Sequence, residues 1–129
     1  MAIKHIRDAE REIEEWRPGV RTLMYISAAT GAGQLTVFEQ WCDPGHGAPE
    51  HVHAVEEVLR VLSGRARIWV GSEAADVGPG ESVIIPAGAP HGFINTGGDR
   101  LHTQAILAAP IFEAEYIDPP RTSRRWVPG

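Results

Sequence analysis

Four things are scarce in this sequence, and each scarcity excludes something. There is one cysteine, Cys42, so no internal disulfide can form. Positive charge is outnumbered: 12 Lys and Arg stand against 17 Asp and Glu, and the net charge of −5 argues against a nucleic-acid partner, which would want a basic face. No apolar run approaches the roughly 20 residues of a membrane span, and "MAIKHIRDAERE" lacks the apolar stretch of a secretory signal. A soluble cytoplasmic protein with no membrane partner is the expectation. Finally, no stretch after Val20 sustains a helical period.

Glycine and proline are plentiful, with 14 and 10 copies scattered singly and in pairs, which reads as many tight turns rather than disorder. The 129 residues are long enough for one core and one domain. "RDAEREIEEW" (7–16) reads as a short helix or a polar arm ended by Pro18-Gly19. "VRTLMYIS" (20–27) and "QLTVFEQW" (34–41) read as a hairpin across "AATGAG". "EVLRVL" (57–62), "RARIWV" (65–70), "SVIIP" (82–86), "HGFIN" (91–95) and "LHTQAIL" (101–107) follow as short strands between turn residues. Many short strands at short spacing predict an all-β sandwich or barrel. "APIFEAEYI" (109–117) is a last strand or one helical turn, and "DPPRTSRRWVPG" reads as a Pro- and Arg-rich tail. The expected division is an arm over 1–19, a β domain over 20–117 and a tail over 118–129.

"GHGAPEHVHAVEE" (45–57) carries the chemistry. In a strand, residues i and i+2 share a face with Cα atoms roughly 6.6 Å apart. His51 and His53 therefore project together, at a separation that lets two imidazoles reach one ion at about 2.1 Å each. Glu57 cannot join them on the same straight strand, which would carry it roughly 13 Å beyond His53. The chain must turn near Ala54-Val55, and alternation then puts Glu57, Leu59 and Val61 on one face and Glu56 on the other.

The same stretch spells G-x5-H-x-H-x3-E-x6-G from Gly45 to Gly64. "GESVIIPAGAPHGFIN" spells G-x5-P-x-G-x2-H-x3-N from Gly80 to Asn95, fifteen residues later. In both patterns, in order, with a short gap between them, the chain resembles the cupin superfamily as a small single-domain member, over roughly residues 34–107. The resemblance implies a jelly-roll β-barrel of two antiparallel sheets. It assigns His51, His53, Glu57 and His91 as ligands of one divalent ion; relatives without metal typically lose one or more of these. Three imidazoles and a carboxylate suit Fe, Mn, Ni or Co with two open positions, or Zn at lower coordination number. The physical roles agree: Gly45, Gly64 and Gly88 fall at turns, Pro86 can end a strand, and Asn95 can tie its loop.

Other residues have plainer readings. Cys42 is expected as a small buried residue, His46 as a loop residue, Glu50 as a surface residue, and Arg65 and Arg67 as a solvated face. Phe38, Trp41, Trp69 and Phe93 are expected mainly as packing, with Trp41 and Phe93 as candidate walls of a substrate pocket. In 101–107 two registers are open: His102 and Gln104 face in, with Gln104 binding substrate, or Thr103 and Ala105 do.

The fold hosts many chemistries. The resemblance makes a non-haem metal-dependent dioxygenase of a small chelating substrate the first reading, with no catalytic residue named beyond the ligands. A redox-neutral lyase, isomerase or decarboxylase is the second, and a small-molecule binding module the third. The acireductone dioxygenase pattern has a wider His-to-Glu gap than the three residues between His53 and Glu57. Apolar residues on both faces of the strands (Val58 and Leu62 against Leu59 and Val61, Ile84 against Val83 and Ile85) predict a homodimer.

Overall fold

The computed structural model describes residues 2–128; Met1 and Gly129, the ends of the expected arm and tail, lie outside the described residues. Twelve strands form two antiparallel six-stranded sheets. The first runs β1 (Ile13–Arg17), β2 (Val20–Ile26), β3 (Thr36–Cys42), β10 (Leu101–Leu107), β5 (Glu57–Ser63), β8 (Ser82–Ile85). The second runs β12 (Arg121–Arg125), β11 (Phe112–Tyr116), β4 (Gly47–Val52), β9 (His91–Asn95), β6 (Ala66–Val70), β7 (Glu73–Val77). The two sheets face each other across one core, the expected jelly-roll. Among the described residues, no helix is long and apolar enough to cross a membrane.

Period-two alternation builds that core. In β3, Thr36, Phe38, Gln40 and Cys42 are buried; in β5, Glu57, Leu59 and Val61; in β10, Leu101, Thr103, Ala105 and Leu107. The register of β10 is thereby settled: Thr103 and Ala105 face in, and His102 and Gln104 face out. Cys42 is fully buried, as its plain reading required. Asn95 ties its loop by donating through Nδ2 to the carbonyls of Cys42 (3.0 Å) and Asp99 (2.8 Å) and accepting from the Gly97 amide (2.9 Å).

Three expectations change. Residues 7–16 are neither a sustained helix nor a free arm: a single 3-10 turn at Asp8–Glu10 precedes strand β1, which pairs with β2. The tail is also strand, with β12 pairing along the whole of β11; that pairing, too, settles 112–116 as strand. Strand β7 escaped the sequence because its first four residues are exposed and polar or small, as an outer edge permits. Both chain ends thus close the barrel. Trp16 from β1 and Trp126 beyond β12 lie 5.5 Å apart between ring centroids, and each packs on Phe38 and Phe112. That aromatic cluster buries apolar ring surface contributed by both ends of the chain.

Candidate metal centre

Neighbouring strands bring His51, His53, Glu57 and His91 together inside the barrel. His51 near the end of β4 sits opposite His91 at the start of β9. His53 follows just past β4, the chain turns, and Glu57 opens β5 on the facing sheet. Gly88 has φ +80, a conformation cheap only for glycine, in the turn that leads β8 back toward His91. All four side chains are buried, and each offers one ligand atom within 4.8 Å of the others.

The hydrogen bonds decide which ring nitrogens face inward. Nδ1 of His51 meets the Pro49 carbonyl at 2.7 Å, Nδ1 of His53 the Glu113 carbonyl at 2.7 Å, and Nδ1 of His91 the Ala89 carbonyl at 2.9 Å. A carbonyl only accepts, so each Nδ1 carries the proton and donates it. In the neutral ring the Nε2 lone pair is then left aimed at the others, the orientation metal-binding imidazoles take. His91 Nε2 lies 2.9 Å from Glu57 Oε1, and His53 Nε2 lies 3.5 Å from the same oxygen.

Neutral imidazole lone pairs facing a carboxylate are acceptors facing an acceptor, and a cation between them removes the conflict. The spacing fits. Two donors each about 2.1 Å from one ion lie about 3.0 Å apart at a right angle and about 4.2 Å apart when opposed. The observed 2.9 to 4.8 Å spread needs only a small inward closure. The chemistry of the donors agrees: three nitrogens and one oxygen suit a borderline divalent ion.

Protonation follows the same geometry. Burial, with the nearby His91 and His53, pushes the His51 pKa down to about 3. Burial lowers that of His53 despite the pull of Glu57. At His91 burial also opposes the charge, but the hydrogen bond and charge of Glu57 outweigh it and the pKa is raised.

These donors open into a small cavity of about 20 Å³, room for an ion or a water and open to solvent at its mouth, whose wall also includes Phe93, Gln40, Tyr116, Trp16 and Arg17. Phe93 is therefore placed where a substrate wall was expected. Trp41 and Gln104 are not. Both occupy the outer parity of the first sheet, where Trp41 stacks on His102 at 4.6 Å and Gln104 donates to the Tyr25 hydroxyl at 2.7 Å. His46 is exposed in its loop, and Arg65, just before β6, and Arg67, on it, are exposed. Glu50 points away from the donors and accepts from Trp69 Nε1 at 3.2 Å. Gln40 was missed; its one signal was a polar amide that shares the buried parity of β3 with Thr36, Phe38 and Cys42. Trp16 and Arg17 were hidden because nothing in residues 7–17 announces a strand.

The cupin domain family profile matches residues 38–107. Similar proteins include an uncharacterised protein of Streptomyces coelicolor, 42% identical over 68 residues, 53% of this chain and 64% of that one. An acireductone dioxygenase of Rhodopseudomonas palustris is 32% identical over 77 residues, 57% of this chain and 41% of that one. The chain spans less than two thirds of the length of these curated relatives. Among solved structures, the polyketide cyclase RemF from Streptomyces resistomycificus superposes with a TM-score of 0.69 and 26% identity over 82% of this chain and 79% of that one. With the profile running through more than half of the chain, the likeness read from its two motifs becomes membership: this protein belongs to the cupin superfamily.

Proposed function

We propose that His51, His53, Glu57 and His91 hold one divalent metal ion and that the protein is a metal-dependent dioxygenase acting on a small chelating organic compound. One observation carries the reading: three inward Nε2 atoms, each fixed by a backbone carbonyl behind it, converge with a carboxylate in a buried cavity. Such preorganisation has no structural purpose in a core that apolar residues already fill. When bound, the ion supplies Lewis acidity and a redox-capable centre to a chelating ligand. The chain's own part is to hold it with neutral imidazoles and one carboxylate, to orient the substrate against Phe93 and Tyr116, and to limit water through the Trp16–Trp126 closure. Similarity to an acireductone dioxygenase supports the oxygenase class, against the His-to-Glu spacing that had set this chain apart from that pattern.

A second reading is redox-neutral chemistry at the same ion, favoured by the likeness to a polyketide cyclase over most of both chains. Anaerobic loading with Fe(II), followed by oxygen uptake over a panel of small chelating substrates, separates the two. Substrate-dependent oxygen consumption is expected. Turnover without it moves the protein to the redox-neutral class, and binding without turnover makes it a binding module.

We also propose a homodimer. The outer face of the first sheet exposes Ile84 (66%) and Leu62 (36%) beside half-buried Val58 and Ile106, an apolar face that a second copy would cover. Light scattering at micromolar concentration should give twice the chain mass; a monomer would contradict it.

A further inference from the structure

Arg17 is a cation on the cavity wall that no carboxylate pairs with among the described residues. Strand β1 reaches the wall through an irregularity. Its pairing with β2 shifts between Glu15 and Arg17, so the regular alternation breaks at Trp16. In an unbroken strand Trp16 and Arg17 would point to opposite faces; here both line the cavity. A bulge that re-aims a side chain is a common device beside a site. The Pro18-Gly19 turn fixes the hairpin immediately after it, with Arg17 paired to Val20.

The guanidinium is held by one edge only. Nε and Nη2 donate to the same oxygen, the Gly47 carbonyl, at 2.9 and 2.7 Å. Gly47 itself packs tightly on β9, where a Cβ would lie 2.1 Å from the Phe93 carbonyl oxygen. The other edge, Nη1 with the second proton of Nη2, has no protein acceptor among the described residues. Nor does any carboxylate there pair with Arg17, whereas Arg125, which stacks over Trp16 at 4.1 Å, is offset by Glu14 at 3.5 Å. A divalent ion with Glu57 leaves one net positive charge in the cavity, and Arg17 adds a second.

We propose that Arg17 is a specificity-determining residue that binds a carboxylate of the substrate through its free Nη1/Nη2 edge. The substrate class is then a small organic acid with two anionic oxygen groups, one for the four-donor cluster and one for Arg17. The planar fork suits a carboxylate held by two parallel bonds. A partly buried, unpaired cation facing a low-dielectric cavity also penalises neutral ligands, which would desolvate it without compensation. This inference deepens the metal-centred reading and rests on it for the placement of the first anionic group only.

The test compares succinate with its monoamide, succinamate, which differ by one charge at nearly the same shape. Calorimetric titration of Co(II)-loaded protein should give succinate the tighter binding by about tenfold to a hundredfold. Arg17→Met should erase that preference while metal content and far-UV circular dichroism stay as in the parent. Arg17→Lys, which keeps the charge and loses the fork, should keep part of it. Equal affinity for the two ligands in the parent protein overturns the proposal, and so does a preference that survives in folded Arg17→Met. The same titrations without metal keep the two readings apart. A chain that binds no Co(II) but still prefers succinate, through Arg17, defeats the metal centre and leaves the Arg17 assignment standing.

Discussion

The protein carries two histidine–glutamate pairings on opposite sides of one sheet, and their contrast explains what makes a site. Inside, Glu57 of β5 meets His91 and His53; outside, Glu39 of β3 meets His102 of β10. Both arise from strands that pack side by side or across the barrel. Inside, three rings converge, every Nδ1 is tied to a carbonyl, and all four side chains are buried. Outside, one half-buried imidazole stacks on Trp41 and pairs with one half-buried carboxylate, a self-sufficient contact with no spare lone pairs converging on a point. Residue type is the same in the two places; parity along the strand and the number of convergent donors differ.

The contrast breaks most visibly by deleting a ring from each side. His91→Ala should weaken divalent-metal binding by well over a hundredfold, more than the ten- to hundredfold typical of losing a mere supporting group. His102→Ala should leave it unchanged. Competition titration with a metallochromic chelator measures both. Either variant should keep its far-UV circular dichroism, because Phe38, Leu59, Ile68, Ile85 and Leu107 build the core without the ion.

Acid should sharpen the difference among the interior rings. The raised pKa of His91 means that its ring is protonated below 6.5 in the metal-free protein, so an incoming ion must displace that proton. His51, held down to about 3, is already neutral there, and His53, also lowered, competes less than an ordinary imidazole. Metal affinity should therefore rise with pH chiefly through the single His91 proton, about tenfold per pH unit approaching pH 6.5, and flatten above the raised value. Three ordinary imidazoles would give a much steeper slope. Affinity measured across that range decides the matter.

The smallest effects belong to the outer face. Gln104→Ala removes one half-buried hydrogen bond to Tyr25 and should cost about 1 kcal/mol of stability in chemical denaturation, with metal affinity untouched. Tyr25 itself has its pKa pushed up to about 12, chiefly by burial, so its phenol should stay protonated in an ultraviolet titration through pH 10, where an exposed tyrosine is half ionised.

How much of this was legible in the sequence depended on whether neighbours in the chain or neighbours in space set the outcome. The parity of Glu57 against Glu56 followed from alternation alone, and β5 buries Glu57, Leu59 and Val61 as expected. Placing His91 beside them needed the second motif, since 34 residues separate it from Glu57. In β10, Leu101, Thr103, Ala105 and Leu107 share one parity and His102, Gln104 and Ile106 the other, so both faces hold apolar and polar members; only pairing with β3 and β5 settled which faces in. Gln104 and Trp41 fell outside the cavity for that reason. The polar composition of 7–17 concealed β1 because an edge strand with one covered face needs few apolar residues, and its irregular register at Trp16 leaves no alternation to read.

The most direct measurement is metal stoichiometry on purified parent, Glu57→Ala and Glu56→Ala proteins reconstituted with one divalent metal and freed of excess ion. The parent and Glu56→Ala should each hold one ion per chain, and Glu57→Ala should hold far less while remaining folded. Loss of the ion in Glu56→Ala with retention in Glu57→Ala, or a parent that holds none, would contradict the interior four-donor site.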